Sequence, residues 1–148
     1  MSPETARIAV VAARWHAEIV DRAVTACRTR LSERGYADIE ILEVPGAFEI
    51  PLQVKRLAAT GRYAAIAGCA LVVDGGIYRH DFVASTVVDA LMRIQIDSDV
   101  PVFSAVLTPH HFHEHAEHLT YFTRHFETKG TELADAIAAT LALDTVPA

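Results

Sequence analysis

The apolar positions of the chain fall into two alternating patterns. "RIAVVAA", from Arg7 to Ala13, is short, rich in β-branched residues and nearly all apolar. A run of that kind suits a strand covered on both faces. From Glu18 the spacing changes, and Val20, Val24, Cys27 and Leu31 recur at steps of three and four. Those steps gather them on one face of a helix. Gly35, just behind, is placed to end that helix in a left-handed conformation. "DIEILEV", Asp38 to Val44, reads as a second strand, stopped by Pro45-Gly46. A second helix is expected from about Pro51 to Ala59, with Gly61 behind it. "YAAIAGCALVV", Tyr63 to Val73, is a third buried strand, broken by Asp74-Gly75-Gly76. A long helix follows from about Asp81 to Ile96, with Phe82, Val83, Val87, Leu91 and Ile94 as its apolar stripe. "PVFSAVLT", opened by Pro101, is the fourth strand, and an alanine-rich helix is expected from Thr131 to Leu143.

Strands separated by helices predict an α/β fold: a three-layer sandwich of a four-stranded parallel sheet with helices on both faces. The length of 148 residues suits one domain spanning residues 1–148. Ligands of such sheets bind off the carboxyl ends of the strands. Four segments stand there: "ARWHAEIV", "VPGAFEIP", "VVDGGIYRHDF" and "LTPHHFHEH".

Composition narrows the classes. An apolar content of 51% is high for a soluble protein, and the surplus is read as subunit contact. The net charge of −6 argues against a broad nucleic-acid surface while leaving room for a local cationic pocket. Cys27 and Cys69 lie far apart in apolar surroundings, as reduced buried thiols of a cytoplasmic protein do. The first apolar run is strand-length, so neither an export signal nor a membrane span is expected.

Chemistry concentrates in the four strand-end segments. Trp15 is the only tryptophan, and its flat face either stacks on a planar heterocycle or packs as an interface aromatic. Phe48 and Glu49 follow the Pro-Gly turn, where Glu49 either favours a helix N-terminus or stands beside backbone groups that read a ring edge. The "GG" of the third segment lets backbone approach a ligand, and the loop feeds a helix start suited to an anion. Arg79 and His80 stand at that point, a permanent cation beside a group that titrates near neutral pH. The fourth segment opens a histidine crowd: His110, His111, His113, His115 and His118. His111, His115 and His118 share a helical face if the segment is helical, a spacing that can chelate a divalent ion. The H-E-x-x-H pattern fails because Glu117 occupies the second histidine's place. No native metal is expected, and the cluster reads as solvated or interfacial, with His118 favoured for phosphate.

Read together, these segments resemble lumazine synthase, an enzyme family of riboflavin synthesis. "VPGAFEIP" (Val44 to Pro51) matches the family's most distinctive motif, and the likeness continues through "HDFVA", "PVFSAVLT" and Lys129-Gly130-Thr131-Glu132. "RWHAEIV", "DGGIYRHDFVA" and "LTPHHFHE" are similar to the second type of that family, the type of rhizobia and brucellae. The resemblance implies a flavodoxin-like fold and no metal or organic cofactor. It implies condensation of 5-amino-6-(D-ribitylamino)uracil with 3,4-dihydroxy-2-butanone 4-phosphate to 6,7-dimethyl-8-ribityllumazine, phosphate and water. It also implies a pentamer with active sites between neighbours and, for the second type, a decamer of two pentamers.

Carried over by motif, Trp15 stacks on the pyrimidine, while Ala47, Phe48 and Glu49 hold the ribityl chain and ring edge. Leu71, Val72 and Val73 contact the pyrimidine through backbone groups. Ser104 falls where the family often has an aromatic ring from a neighbouring subunit, and His118 falls near its phosphate-binding arginine. Arg79 takes the place of the common type's catalytic histidine. Because arginine stays charged, His80 is given a share of the proton transfer and Arg79 a share of oxyanion or phosphate stabilisation, with Lys129 adding charge, and either of the first two stays open as the proton donor. A protonated His118 holds phosphate best, so affinity for the phosphate substrate is expected to weaken as pH rises. Two other readings use some of the same residues: a flavodoxin-like module that binds flavin or lumazine without turnover, and a histidine-rich metal buffer.

Overall fold

The computed structural model describes residues 2–73, 80–108 and 116–143, with the side chains of 80 and 116–119 left aside. Its elements run β1 (Arg7–Ala13), α1 (Ala17–Glu33), β2 (Asp38–Val44), a 3-10 turn (Ala47–Glu49), α2 (Ile50–Ala59), β3 (Ala65–Leu71), α3 (His80–Ser98), β4 (Val102–Leu107) and α4 (Ala116–Leu143). The four strands pair in parallel in the order β2-β1-β3-β4. That order matches the first four strands of the flavodoxin-like arrangement, with the chain switching direction across the sheet at β1 and β3.

Two apolar layers sandwich the sheet. Ile8, Val10, Ala12, Ala67, Cys69 and Leu71 face α1 and α4, and meet Val20, Cys27, Leu31, Phe126 and Ile137. Ala9, Val11, Ile66, Ala70 and Val106 face α2 and α3, and meet Ile50, Val54, Val87 and Leu91. The expected α1 stripe of Val20, Val24, Cys27 and Leu31 is buried as read. Gly35 ends α1 at φ +95°, the left-handed conformation its position called for. Gly68, in β3, has its own reason to lack a side chain: a Cβ there would come within 2.8 Å of Ile50. Cys27 and Cys69 are free and buried, and burial pushes the Cys27 thiol up to about 12 and Cys69 in the same direction.

Two expectations need correction. Phe82 does not join the buried stripe of α3 and stands 63% exposed. It precedes the buried Val83 by one residue, a rotation of about 100° that carries it off the core face. The last helix begins at Ala116, not Thr131. The sequence reading opens it only after Gly130, but this glycine is a contact and not a boundary. A Cβ on Gly130 would lie 2.2 Å from the Ala23 carbonyl oxygen, so its absence lets α4 press against α1 in mid-helix. Upstream of it, Phe122 and Phe126 are buried at the four-residue step that continues the stripe of Leu133, Ile137 and Leu141.

Candidate functional site

The sheet register aligns the strand ends. Ala13 stands opposite Val44, and Leu71 opposite Leu107, so the segments after all four strands leave one edge. The part described in full lies beyond β1 and β2. There the Trp15 and Phe48 rings meet edge to face, centroids 6.5 Å apart and planes 89° apart. Trp15 is 39% exposed and Phe48 42%, so two aromatic faces stand open beside the strand ends. Beneath them Ala47 is fully buried, and it opens a 3-10 turn closed by the Glu49 amide donating to the Gly46 carbonyl at 3.2 Å. Glu49 is exposed at the N-cap of α2, with Pro51 in the first turn, where a proline costs no hydrogen bond.

The indole lies against the backbone of Gly46. A Cβ at that residue would fall 2.2 Å from Trp15 Cε2 and 2.6 Å from Nε1. Arg14, one residue before, pairs in a fork with Asp21, Nη1 to Oδ1 at 2.8 Å and Nη2 to Oδ2 at 3.0 Å. That pairing holds the Asp21 carboxyl below its ordinary value and the Arg14 guanidinium above its own, partial burial opposing both. Neither Arg14, Asp21 nor Gly46 was singled out from the sequence. A charge at the end of an all-apolar strand was the available signal for Arg14. Gly46 gave none beyond its turn.

The remaining site residues fall in three groups. Leu71 and Val72 are buried and Val73 half-buried at the end of β3. The Val72 amide is already committed, donating to the Leu107 carbonyl at 2.8 Å, which leaves a ligand only the other groups of this stretch. Ser104 and Lys129 are not brought to the Trp15 shelf. Ser104 is exposed in β4 opposite Gly68, three residues short of the strand end, and its Oγ accepts from the Val106 amide at 3.2 Å. Lys129 pairs with Glu132 at 3.1 Å beside the α1 contact. It stands thirteen residues into α4, about 20 Å along the axis from the helix start. Arg79 and the histidines at 110, 111, 113 and 115 lie outside the described residues. His80 is the first residue of α3 and His118 the third of α4, both described by backbone alone. Each thus stands in the first described turn of its helix. Among the described residues no metal-ligand cluster occurs, and no helix is long and apolar enough to cross a membrane.

The family model for 6,7-dimethyl-8-ribityllumazine synthase matches residues 5–145. The chain belongs to that family. A 6,7-dimethyl-8-ribityllumazine synthase of Rhodococcus erythropolis is 61% identical over 137 residues, 91% of this chain and 88% of the relative. A protein named 6,7-dimethyl-8-ribityllumazine synthase 2, from Pseudomonas syringae pv. tomato, is 57% identical over 91% of this chain and 81% of its own length. Another of that name, from Bradyrhizobium diazoefficiens, is 53% identical over 91% and 82%. These names agree with the second-type resemblance carried by "RWHAEIV" and "DGGIYRHDFVA". A solved flavodoxin from the domain Archaea aligns over 88% of the chain at 11% identity and a TM-score of 0.35, too distant to carry an argument.

Proposed function

We infer that this chain is a lumazine synthase of riboflavin biosynthesis. It condenses 5-amino-6-(D-ribitylamino)uracil with 3,4-dihydroxy-2-butanone 4-phosphate to 6,7-dimethyl-8-ribityllumazine, phosphate and water. The observation that carries the reading is family membership over residues 5–145. The exposed Trp15–Phe48 shelf at the strand ends supports it, because a planar pyrimidine needs such a surface. In the reaction the uracil's amine attacks the ketone, and water leaves to give an imine. Phosphate departs by elimination, and the ring closes with loss of a second water. No metal or organic cofactor enters.

Roles follow position. Trp15 stacks on the pyrimidine, and the 3-10 turn of Ala47, Phe48 and Glu49 holds the ribityl chain and ring edge. Leu71 and Val73 flank the ring at the end of β3, while Val72 serves mainly to fix β3 to β4. His80 carries protons, and Arg79 stabilises phosphate or the developing oxyanion. His118, at the start of α4, receives phosphate. Ser104 and Lys129 stand away from the shelf of their own subunit, which favours roles toward a neighbour's substrate. Accordingly the protein works as a single domain, in a pentamer and then a decamer, in the cytoplasm, on small molecules and without nucleic acid or membrane.

Mixing the two substrates and following lumazine absorbance tests the activity. Ligand binding without product would instead support a non-catalytic flavin- or lumazine-binding module. Replacing Arg79 and His80 separately divides their roles: His80→Ala should lower kcat by about 10²-fold or more with little change in KM. Arg79→Ala should raise KM for the phosphate substrate. Equal losses from both would remove the assignment of the proton to His80.

A further inference from the structure

The turn between β1 and α1 is fixed at three points. The Arg14 amide donates to the Val44 carbonyl at 3.0 Å, tying the turn to the end of β2. The Arg14 guanidinium forks onto Asp21 in α1, and Glu43 stands 3.9 Å away. A forked pair fixes orientation as well as charge. The chain then passes through His16 in the left-handed region, φ 52° and ψ 48°, and the His16 carbonyl accepts from the amides of Ile19 and Val20. Trp15 is the residue held between these anchors.

Its side chain is set from the other side by what Gly46 lacks. Carbon atoms in contact sit about 3.5 Å apart, so a Cβ at 2.2 Å would drive the indole outward by roughly 1.3 Å. The indole would then move off the backbone and into the space above the shelf.

We propose that Asp21, acting through Arg14, and Gly46 are positioning residues that set the height and tilt of the Trp15 ring for stacking. The proposal rests on the reading of Trp15 as the pyrimidine platform. It assigns a task to a surface ion pair and to a glycine that touch no substrate. It also predicts selectivity between the two substrates: the aromatic one feels the change, and the aliphatic phosphate does not.

The single tryptophan makes the test direct, because intrinsic fluorescence reports Trp15 alone. Asp21→Asn and Gly46→Ala are compared with the parent protein, first without ligand and then in turnover. The Asp21 side chain is 54% exposed, so Asp21→Asn keeps the fold if Gly46→Ala does not. Expected are a shifted emission maximum and lower anisotropy in Asp21→Asn. KM for the ribitylaminouracil should rise, by about tenfold where the ring is displaced by an ångström, with kcat within about twofold. KM for the butanone phosphate should stay at the parent value. Unchanged fluorescence in Asp21→Asn would overturn the positioning role and leave the stacking reading standing. A rise of both KM values together would overturn it too, since that marks general disorder. A Trp15→Ala variant with the parent's KM for the aromatic substrate would instead overturn the stacking reading itself.

Discussion

The two helical layers of the sandwich are finished to different degrees. On one face α1 and α4 meet at backbone distance, with Gly130 against Ala23, and Asp135 of α4 takes Arg30 at 2.8 Å and Arg34 at 3.1 Å from α1. The groove left between them, about 400 Å³, is lined by Arg22, Thr25, Thr29, Glu33, Glu127 and Thr131, groups that water satisfies. On the other face α2 and α3 leave a groove of about 450 Å³ whose walls set Leu52, Ala59, Ala90 and Ile94 among the charged groups of Lys55, Arg93 and Asp97. Beside it Val88, Met92 and Ile96 stand exposed, Ile96 by 72%. Grooves of like size thus differ in chemistry. The second has Val88, Met92 and Ile96 beside it, apolar surface that gains by being covered. That contrast supports placing a subunit contact of the proposed assembly on the α2/α3 face.

The largest effect should come from breaking the closed face. Gly130→Val places carbon atoms where the Ala23 carbonyl already stands, so α4 must lift from α1 along its middle. The loss should be about 3 kcal/mol or more, since overpacking against backbone has no side chain to displace. Gly130→Ala should lose somewhat less, because helix propensity returns about 1 kcal/mol. Urea denaturation at fixed subunit concentration measures both. Gly61→Ala is the control: φ is +69° but nothing lies within 4 Å, so only backbone strain of about 1–2 kcal/mol is at stake. If Gly130→Ala cost no more than Gly61→Ala, the closed contact would not carry the stability assigned to it.

The open face should respond differently. Met92→Asp with Ile96→Asp puts two charges on surface that is already wet in the isolated subunit. Far-UV circular dichroism should be unchanged, while the sedimentation mass should fall from that of the assembly toward one subunit. Fully covering the two parent side chains contributes roughly 2–4 kcal/mol per subunit, enough to shift association by orders of magnitude. An unchanged mass would move the contact to another face. A parent mass corresponding to a sixty-subunit shell would overturn the decamer.

The same contrast explains what the sequence made legible. β1 and β3 are buried on both faces, so their side-chain pattern is continuous and their existence was plain from "RIAVVAA" and "YAAIAGCALVV". The stripe of α1 was plain for another reason: only one face is buried, so its apolar residues recur at helical steps. Phe82 and Gly130 misled because each has two physical explanations that a sequence does not separate. An apolar residue at a helix start is core or exposed surface, and a glycine is a stop or a close contact. At the site, the motif "VPGAFEIP" pointed to the right turn, and Trp15 and Phe48 do meet there. The Arg14–Asp21 pair escaped because its partners lie seven residues apart across a turn whose path depends on the left-handed His16.

The smallest effect concerns Asp135, which holds α1 to α4 by charge where Gly130 does so by shape. The hydrogen bond from Arg30, aided by the Arg34 guanidinium, keeps its carboxyl below the ordinary value of 3.8. A carboxylate with a depressed folded-state value stabilises the fold above its unfolded value, and that contribution fades as pH falls through the folded one. Asp135→Asn should therefore be less stable than the parent at neutral pH by a constant margin. The margin should begin to close only below about pH 4, where the unfolded chain takes up its proton first. All three side chains at this contact are partly exposed, so added salt should shrink the margin further. Urea midpoints of the two proteins between pH 3 and pH 7, at low and high salt, measure it. A margin that stayed flat down to pH 3 would mean that Asp135 acts by packing rather than by charge. The closed face would then owe its closure to shape and apolar packing around Gly130.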